Sequence, residues 1–168
     1  MITVRAMKRS DINDVYRIET LSFRTPWSKL SLLGELQNTH AHYLVATVED
    51  VVIGYCGMWV LYEESHITNI AIDPAFRGKG HGKTLLYAAM EFAAALDADA
   101  MTLEVRETNY TAQQMYHNLD FEQQGFRKHY YQDTGEGAKL LWNKAIRKTL
   151  ENNACIRNKY DLKWETFE

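Results

Sequence analysis

The feature that most constrains this chain is the run Arg77-Gly78-Lys79-Gly80-His81-Gly82-Lys83. Three of the nine glycines fall within five positions there. A β-rich stretch ends just before it at Pro74, and Leu85, Ala89, Phe92 and Leu96 recur at helical spacing just after it. Glycines between a strand and a helix let the backbone take positive φ and admit a ligand close to the main chain. The unpaired amides of the first helical turn, with the helix dipole, then favour an anion. Arg77, Lys79 and Lys83 add positive charge, and a pyrophosphate is the natural ligand. A solvated glycine-rich turn is the competing reading, and the run alone does not separate the two.

Spacing excludes two familiar phosphate loops. An ATP-type loop requires GxxxxGK[ST], whereas Gly78 and Gly82 stand one residue too close. A dinucleotide fold requires GxGxxG in the first βα unit, and here the strands ahead of the loop read as antiparallel. Their connections are too short for crossovers: strands are expected over 42–48, from Val51 to about Leu61, and from Ser65 to Asp73. Upstream, residues 1–6 read as a strand and Ser10 as the cap of a helix carrying Ile12, Val15, Ile18 and Leu21. Pro26-Trp27-Ser28 interrupts that helix, and Ser28 caps a second one. Downstream come a strand from Ala100 to Arg106, a helix over 110–119, and strands over 121–132 and 137–145. The result is an α/β (α+β) fold: a mixed, mostly antiparallel, twisted sheet of about seven strands flanked by about four helices. Residues 1–146 form one domain and 147–168 a C-terminal extension or tail.

Composition narrows the function. Nineteen basic against 22 acidic residues give a net charge of −3, which disfavours an electrostatically driven nucleic-acid binder. Cys56 and Cys155 form no CxxC pattern, and the six histidines form no HExxH, so no metal is expected. His40 and His42 read as a polar surface pair. With no signal-like start and no apolar run near the ~20 residues of a membrane span, a reducing cytoplasmic setting is the simplest fit.

The spacing that the loop does meet is R-x-x-G-x-G, at Arg77, Gly80 and Gly82. In this the sequence resembles the GNAT superfamily of N-acetyltransferases, whose acetyl-coenzyme A loop has the form Q/R-x-x-G-x-G/A. The resemblance spans roughly residues 2–145. Asn69-Ile70-Ala71-Ile72-Asp73-Pro74 looks like the strand that contacts the acetyl-pantetheine arm. Leu103-Glu104-Val105-Arg106, Asn109, Met115-Tyr116 and Phe121 look like the corresponding run of RimI-like ribosomal-protein N-terminal acetyltransferases. Pro26-Trp27-Ser28 and Tyr130-Tyr131 match that subfamily too.

The resemblance implies a GNAT-like fold and an acyltransferase of the 2.3.1 class using acetyl-coenzyme A without metal. It implies that Ile70, Ala71 and Ile72 contact the cosubstrate through their backbone, and that Arg77, Gly78, Lys79, Gly80, His81, Gly82 and Lys83 hold the pyrophosphate. It further implies Asn109 as a cofactor contact, Glu104 as general base and Tyr116 as general acid. Read from the residues alone, Glu104 is a surface carboxylate paired with Arg106, Tyr116 a core aromatic and Asn109 an N-cap.

The implied acceptor is a protein N-terminus, most naturally a ribosomal protein's; a polyamine, an amino sugar or a lysine side chain is the rival. A non-catalytic acyl-coenzyme A-binding module remains as another class. The departures from the subfamily are Asp120 in place of glycine before Phe121, Gln132 after Tyr130-Tyr131, and Thr25 where an aromatic is common. They fall on loops expected to shape the acceptor site. The extension, with Trp164 and Phe167, is free to pack on the sheet, cover the cleft or pair subunits, and the oligomeric state is left open.

Overall fold

The computed structural model describes residues 1–163. Eight strands form one sheet in the order β6-β7-β5-β4-β3-β2-β1-β8. They are β1 (Ile2–Ala6), β2 (Ala41–Val48), β3 (Val51–Leu61), β4 (Glu64–Ile72), β5 (Ala100–Arg106), β6 (Glu122–Arg127), β7 (Ala138–Asn143) and β8 (Tyr160–Lys163). Five α-helices accompany them: α1 (Ile12–Ser22), α2 (Lys29–Glu35), α3 (His81–Ala95), α4 (Tyr110–His117) and α5 (Ile146–Asn152). All pairings are antiparallel except β4 with β5 and β1 with β8. The expected mixed, mostly antiparallel α/β sheet is therefore present, with one strand and one helix more than the sequence indicated.

Both additions come from the extension. Ile146, Ile156 and Tyr160 are its buried apolar anchors, and β8 runs alongside β1 from Ile2↔Tyr160 to Arg5↔Lys163. Tyr160 donates its hydroxyl to Glu91 Oε2 at 2.6 Å, and Tyr87 on α3 donates to the Leu150 carbonyl at 2.9 Å. The extension also braces the turn after α4. Thr149 Oγ1 donates to Asp120 Oδ2 at 2.8 Å, and Asn143 Nδ2 donates to both the Leu119 carbonyl and Thr149 Oγ1. Asp120 stands there at φ 64°, the left-handed conformation in which glycine is usual and aspartate tolerated. Trp164 and Phe167 lie outside the described residues.

Several boundaries differ from expectation, α4 ending at His117 and β7 at Asn143 among them, and three of the differences have a clear cause. Ser10 does not cap the first helix: a 3-10 turn over Arg9–Asp11 precedes α1, and the Asp11 carboxylate accepts from Lys8 N–H and from Arg5. The strand expected over 121–132 ends at Arg127, because His129 has φ 53° and the chain turns away from the ladder. Asp73 leaves β4 and caps the following turn, accepting from Ala75 N–H at 3.0 Å. Ser28 does cap α2, accepting from Ser31 N–H.

Two cores cover the sheet. On one face Leu85, Leu86, Ala89, Met90 and Ala93 of α3, with Tyr116 of α4, pack on Ile67, Ile72, Met101, Leu103 and Val105. On the other, Val15, Ile18 and Leu32 from α1 and α2 pack on Tyr43, Val45, Tyr55 and Ala71. The strands between them are read from both sides, and that arrangement positions the site.

Candidate active site

The ladder between β4 and β5 is incomplete. They pair only at Glu64↔Ala100, Ser65↔Met101 and His66↔Thr102, and β4 then continues to Ile72 without its neighbour. The β3–β4 register slips between Gly57↔Asn69 and Met58↔Ile67, leaving Thr68 as a bulge. A bulge bends its strand, and here it opens a gap beyond His66. Asp73 N–H bonds back to Ile53 on β3, so strand alternation turns the amides of Ile70 and Ile72 away from β3 and into the gap.

At the mouth of that gap lies the glycine run. Gly78 has φ 81° and Gly80 φ 80°, conformations that disfavour any side chain. Gly80 is the N-cap of α3 and offers no side-chain cap, so the amides of His81, Gly82 and Lys83 begin the helix without intrahelical partners. This is the geometry in which main-chain N–H groups and the helix dipole bind a phosphate. Lys79 lies over the Phe76 ring, its ammonium 5.7 Å from the centroid. Burial, then the Lys79 charge, lowers the pKa of His81 and favours its neutral form.

Arg77 behaves differently from its basic neighbours. Its Nε donates to the Ile72 carbonyl at 2.8 Å and its guanidinium to Ser22 Oγ at 2.9 Å. The side chain thus ties the loop to β4 and α1. Asn109 caps α4, its Oδ1 accepting from Ala112 N–H at 3.2 Å.

Glu104 and Tyr116 sit on opposite faces of the sheet. Leu103 and Val105 belong to the α3–α4 core, so alternation turns Glu104 toward the α1–α2 face. Its expected partner, Arg106, is occupied elsewhere. That guanidinium reaches Asp133 at 2.8 Å and Glu136 at 3.4 Å, and stacks 3.9 Å from the centre of Tyr131. Glu104 Oε2 instead meets His66 Nε2 at 2.7 Å, while Arg127 Nε lies 3.8 Å from Oε1. The hydrogen bond from His66 holds the Glu104 carboxyl below its usual range, against a burial that opposes it. The group is therefore a carboxylate at neutral pH, and His66 Nε2 carries the proton of their bond.

Tyr116 faces the other core, edge-on to Phe121 and 5% exposed. Burial pushes its phenol well up, so it stays protonated. The β4–β5 gap lies between the two faces at this point. A group held on the α3–α4 side reaches the Glu104 carboxylate by passing between the strands. Above Glu104, two loops face one another: the α1–α2 loop, residues 23–28, and the β6–β7 loop, residues 128–137. The carboxyl of Asp133 in the second is held below its ordinary pKa chiefly by its hydrogen bond from Arg106 and least by the charge of Arg24 in the first, and Glu104 in turn acts on Tyr130 and Tyr131.

His66 was not among the residues the sequence singled out. It sits in an ordinary alternating strand, and its meeting with Glu104 depends on the parallel register that sets it opposite Thr102. No residue-type pattern carries that register. Cys56 is buried with its thiol pushed up, and Cys155 is exposed on the extension, so neither offers a thiolate at the gap. Among the described residues no group of three or more metal-ligating side chains gathers, and no helix is long and apolar enough to cross a membrane.

The family described as Acetyltransferase (GNAT) matches residues 12–121. A Bacillus subtilis relative, provisionally named a [ribosomal protein bS18]-alanine N-acetyltransferase, is 44% identical over 140 residues, covering 83% of this chain and 93% of its own. A Haemophilus ducreyi [ribosomal protein bS18]-alanine N-acetyltransferase is 35% identical over 130 residues, with 76% and 88% covered. The crystal structure of the Escherichia coli ribosomal-protein-S18-alanine N-acetyltransferase superposes with a TM-score of 0.78 at 26% identity, over 84% of this chain and 92% of that one.

Proposed function

The chain belongs to the acetyltransferase (GNAT) family, and from that premise we propose that it acetylates the N-terminal α-amine of a ribosomal protein, using acetyl-coenzyme A. The observation that carries this reading is the interrupted β4–β5 ladder, with an uncapped helix N-terminus at its mouth and an ionised carboxylate on its far side. The names of the relatives at 44% and 35% identity support the acceptor class.

The residues present fit the cosubstrate. The amides of residues 78–83 suit its diphosphate, Ile70 and Ile72 offer N–H groups to its pantetheine arm, and Asn109 caps α4. Acetyl-coenzyme A supplies an already activated acyl group, so a protein nucleophile is not required. Glu104 accepts the proton of the incoming amine, whose intrinsic pKa is about 7.7–8.0. A carboxylate held below its ordinary range is ready to accept but poor at retaining, so the proton passes on to solvent. His66 keeps that carboxylate oriented through Oε2. The main-chain amides in the gap stabilise negative charge on the acyl oxygen, as fixed donors do without reorganising. Tyr116, protonated on the opposite face, donates to the departing sulfur.

Thiol release tests this reading. With acetyl-coenzyme A, an alanine-initiated peptide is the expected acceptor, whereas spermidine, an amino sugar and an N-terminally blocked lysine peptide release thiol at background rate. Release with spermidine alone would move the acceptor to small amines. Tight coenzyme binding without release on any amine would leave a binding module. A ribosomal acceptor also places the enzyme in the cytoplasm.

A further inference from the structure

Of the buried carboxylates Asp11, Glu19 and Asp73, the first is paired with Arg5 and the last with Arg17, whereas no ion pair is seen at Glu19 among the described residues. It sits on the last turn of α1, 1% exposed, inside the core between α1, α2 and the sheet. Burying a charged or polar group costs free energy unless its partners are supplied, so its neighbours are informative. Oε1 accepts the backbone N–H of Trp27 at 3.0 Å. Oε2 is buried and has no hydrogen-bond partner among the described residues, and neither do the Asn69 Nδ2 donor or the Tyr43 and Tyr55 hydroxyls. Asn69 faces Glu19 closely enough to lower its pKa, although burial wins and the net shift is upward.

Trp27 lies in the α1–α2 loop and Asn69 immediately precedes Ile70. One side chain therefore spans from the loop that walls the acceptor side to the strand that lines the gap. The loop is otherwise held at its two ends and by its one apolar anchor: Phe23 N–H closes α1 on the Glu19 carbonyl, Ser28 begins α2, and the Trp27 side chain packs on the α1–α2 core. Between them residues 24–26 are exposed.

We infer that Glu19 is a positioning residue for the acceptor: by holding the Trp27 amide and facing Asn69, it fixes the α1–α2 loop against β4 as one wall of the acceptor cleft. It touches neither the coenzyme loop nor the Glu104 carboxylate. Its loss must weaken acceptor binding while sparing coenzyme binding. This rests on the acceptor face assigned above, and the test separates the two.

The experiment compares Glu19→Gln and Glu19→Met in the full chain, with two readouts. Glutamine keeps an oxygen for Trp27 N–H and turns an amide toward Asn69, which can flip to answer it. Methionine keeps length and removes every acceptor. In Glu19→Met the KM for an alanine-initiated peptide rises roughly tenfold, the range expected for an unmade buried hydrogen bond. The KM for acetyl-coenzyme A stays within about twofold, and the Trp27 amide exchanges about tenfold faster with deuterated solvent. Glu19→Gln restores both readouts. Glu19→Asp keeps the charge but withdraws its reach, so it shows the same KM split and serves where Glu19→Met does not fold.

An unchanged peptide KM in a variant with faster Trp27 exchange overturns the inference. Equal damage in Glu19→Gln and Glu19→Met overturns it too, since the charge itself would then matter. A wild-type protein that acetylates no peptide overturns the acceptor assignment instead, and leaves the Trp27 exchange result standing.

Discussion

The coenzyme side and the acceptor side of the sheet are built on different principles. On the coenzyme side, recognition is by backbone: two left-handed glycines, an uncapped helix start and the outward amides of a strand that has lost its neighbour. On the acceptor side it is by side chains gathered from distant segments. His66 comes from β4, Glu104 from β5, Arg127 from β6, and Arg24 and Asp133 from facing loops. A backbone site is rigid and leaves its trace as glycines at fixed offsets. A side-chain site depends on register and loop geometry, and can change its partner without disturbing the first. On the proposed reading, the comparison teaches that coenzyme binding and acceptor choice are separable, with Glu104 at their junction.

The largest expected effect tests that junction. Glu104→Gln lowers kcat/KM for the peptide by roughly 10²–10⁴, the usual contribution of a positioned base, and leaves the KM for acetyl-coenzyme A unchanged. Steady-state kinetics with each substrate varied in turn would break the comparison if both KM values moved together. Next comes Tyr116→Phe, at the residue on the α3–α4 face proposed as the acid. It lowers kcat by roughly 10²-fold, near the lower end for acid catalysis, because a thiol with a pKa of about 8.5 leaves tolerably unaided. Near-normal turnover would reduce Tyr116 to core packing against Phe121.

Gly80→Ala works on the coenzyme side alone. Forcing a side chain to φ 80° costs about 1–2 kcal/mol, so the KM for acetyl-coenzyme A rises roughly 5- to 30-fold while the peptide KM holds. The smallest effect concerns pH. Because His66 holds Glu104 below its ordinary pKa, that group stays ionised as pH rises through neutrality. The acidic limb of kcat/KM therefore follows the acceptor amine, near pH 8, and Glu104→Gln lowers the whole curve without moving the limb. A limb that shifts with the substitution would make Glu104 the titrating group.

How much of this was legible in the sequence follows the same division. The element order and the anion loop could be read from residue periods and from Arg77, Gly80 and Gly82. Asp120 at positive φ was tolerable by chemistry, and Thr149 now shows what holds it. The Thr68 bulge was not legible, because it is a slip between two strands and leaves no signature in either. The same is true of the pairing of Glu104 with His66, where proximity in sequence suggested Arg106 instead. The extension offers few apolar positions and its sequence left packing on the sheet as one option among several; Ile146, Ile156 and Tyr160 are the residues that anchor it, and β8 is added to the sheet. Arg77 read as a charge for the ligand, and its hydrogen bonds to the Ile72 carbonyl and Ser22, which the spacing did not foretell, also fasten the loop.

The central claim is that the opening between β4 and β5 joins a coenzyme held by main-chain amides to a carboxylate on the other face. A crystal structure with acetyl-coenzyme A tests it most directly. The account predicts the diphosphate on the amides of residues 78–83, the pantetheine arm beside Ile70 and Ile72, and the acetyl group emerging on the Glu104 side. A coenzyme lying along the outside of the sheet, with β4 and β5 closed past His66, would contradict it.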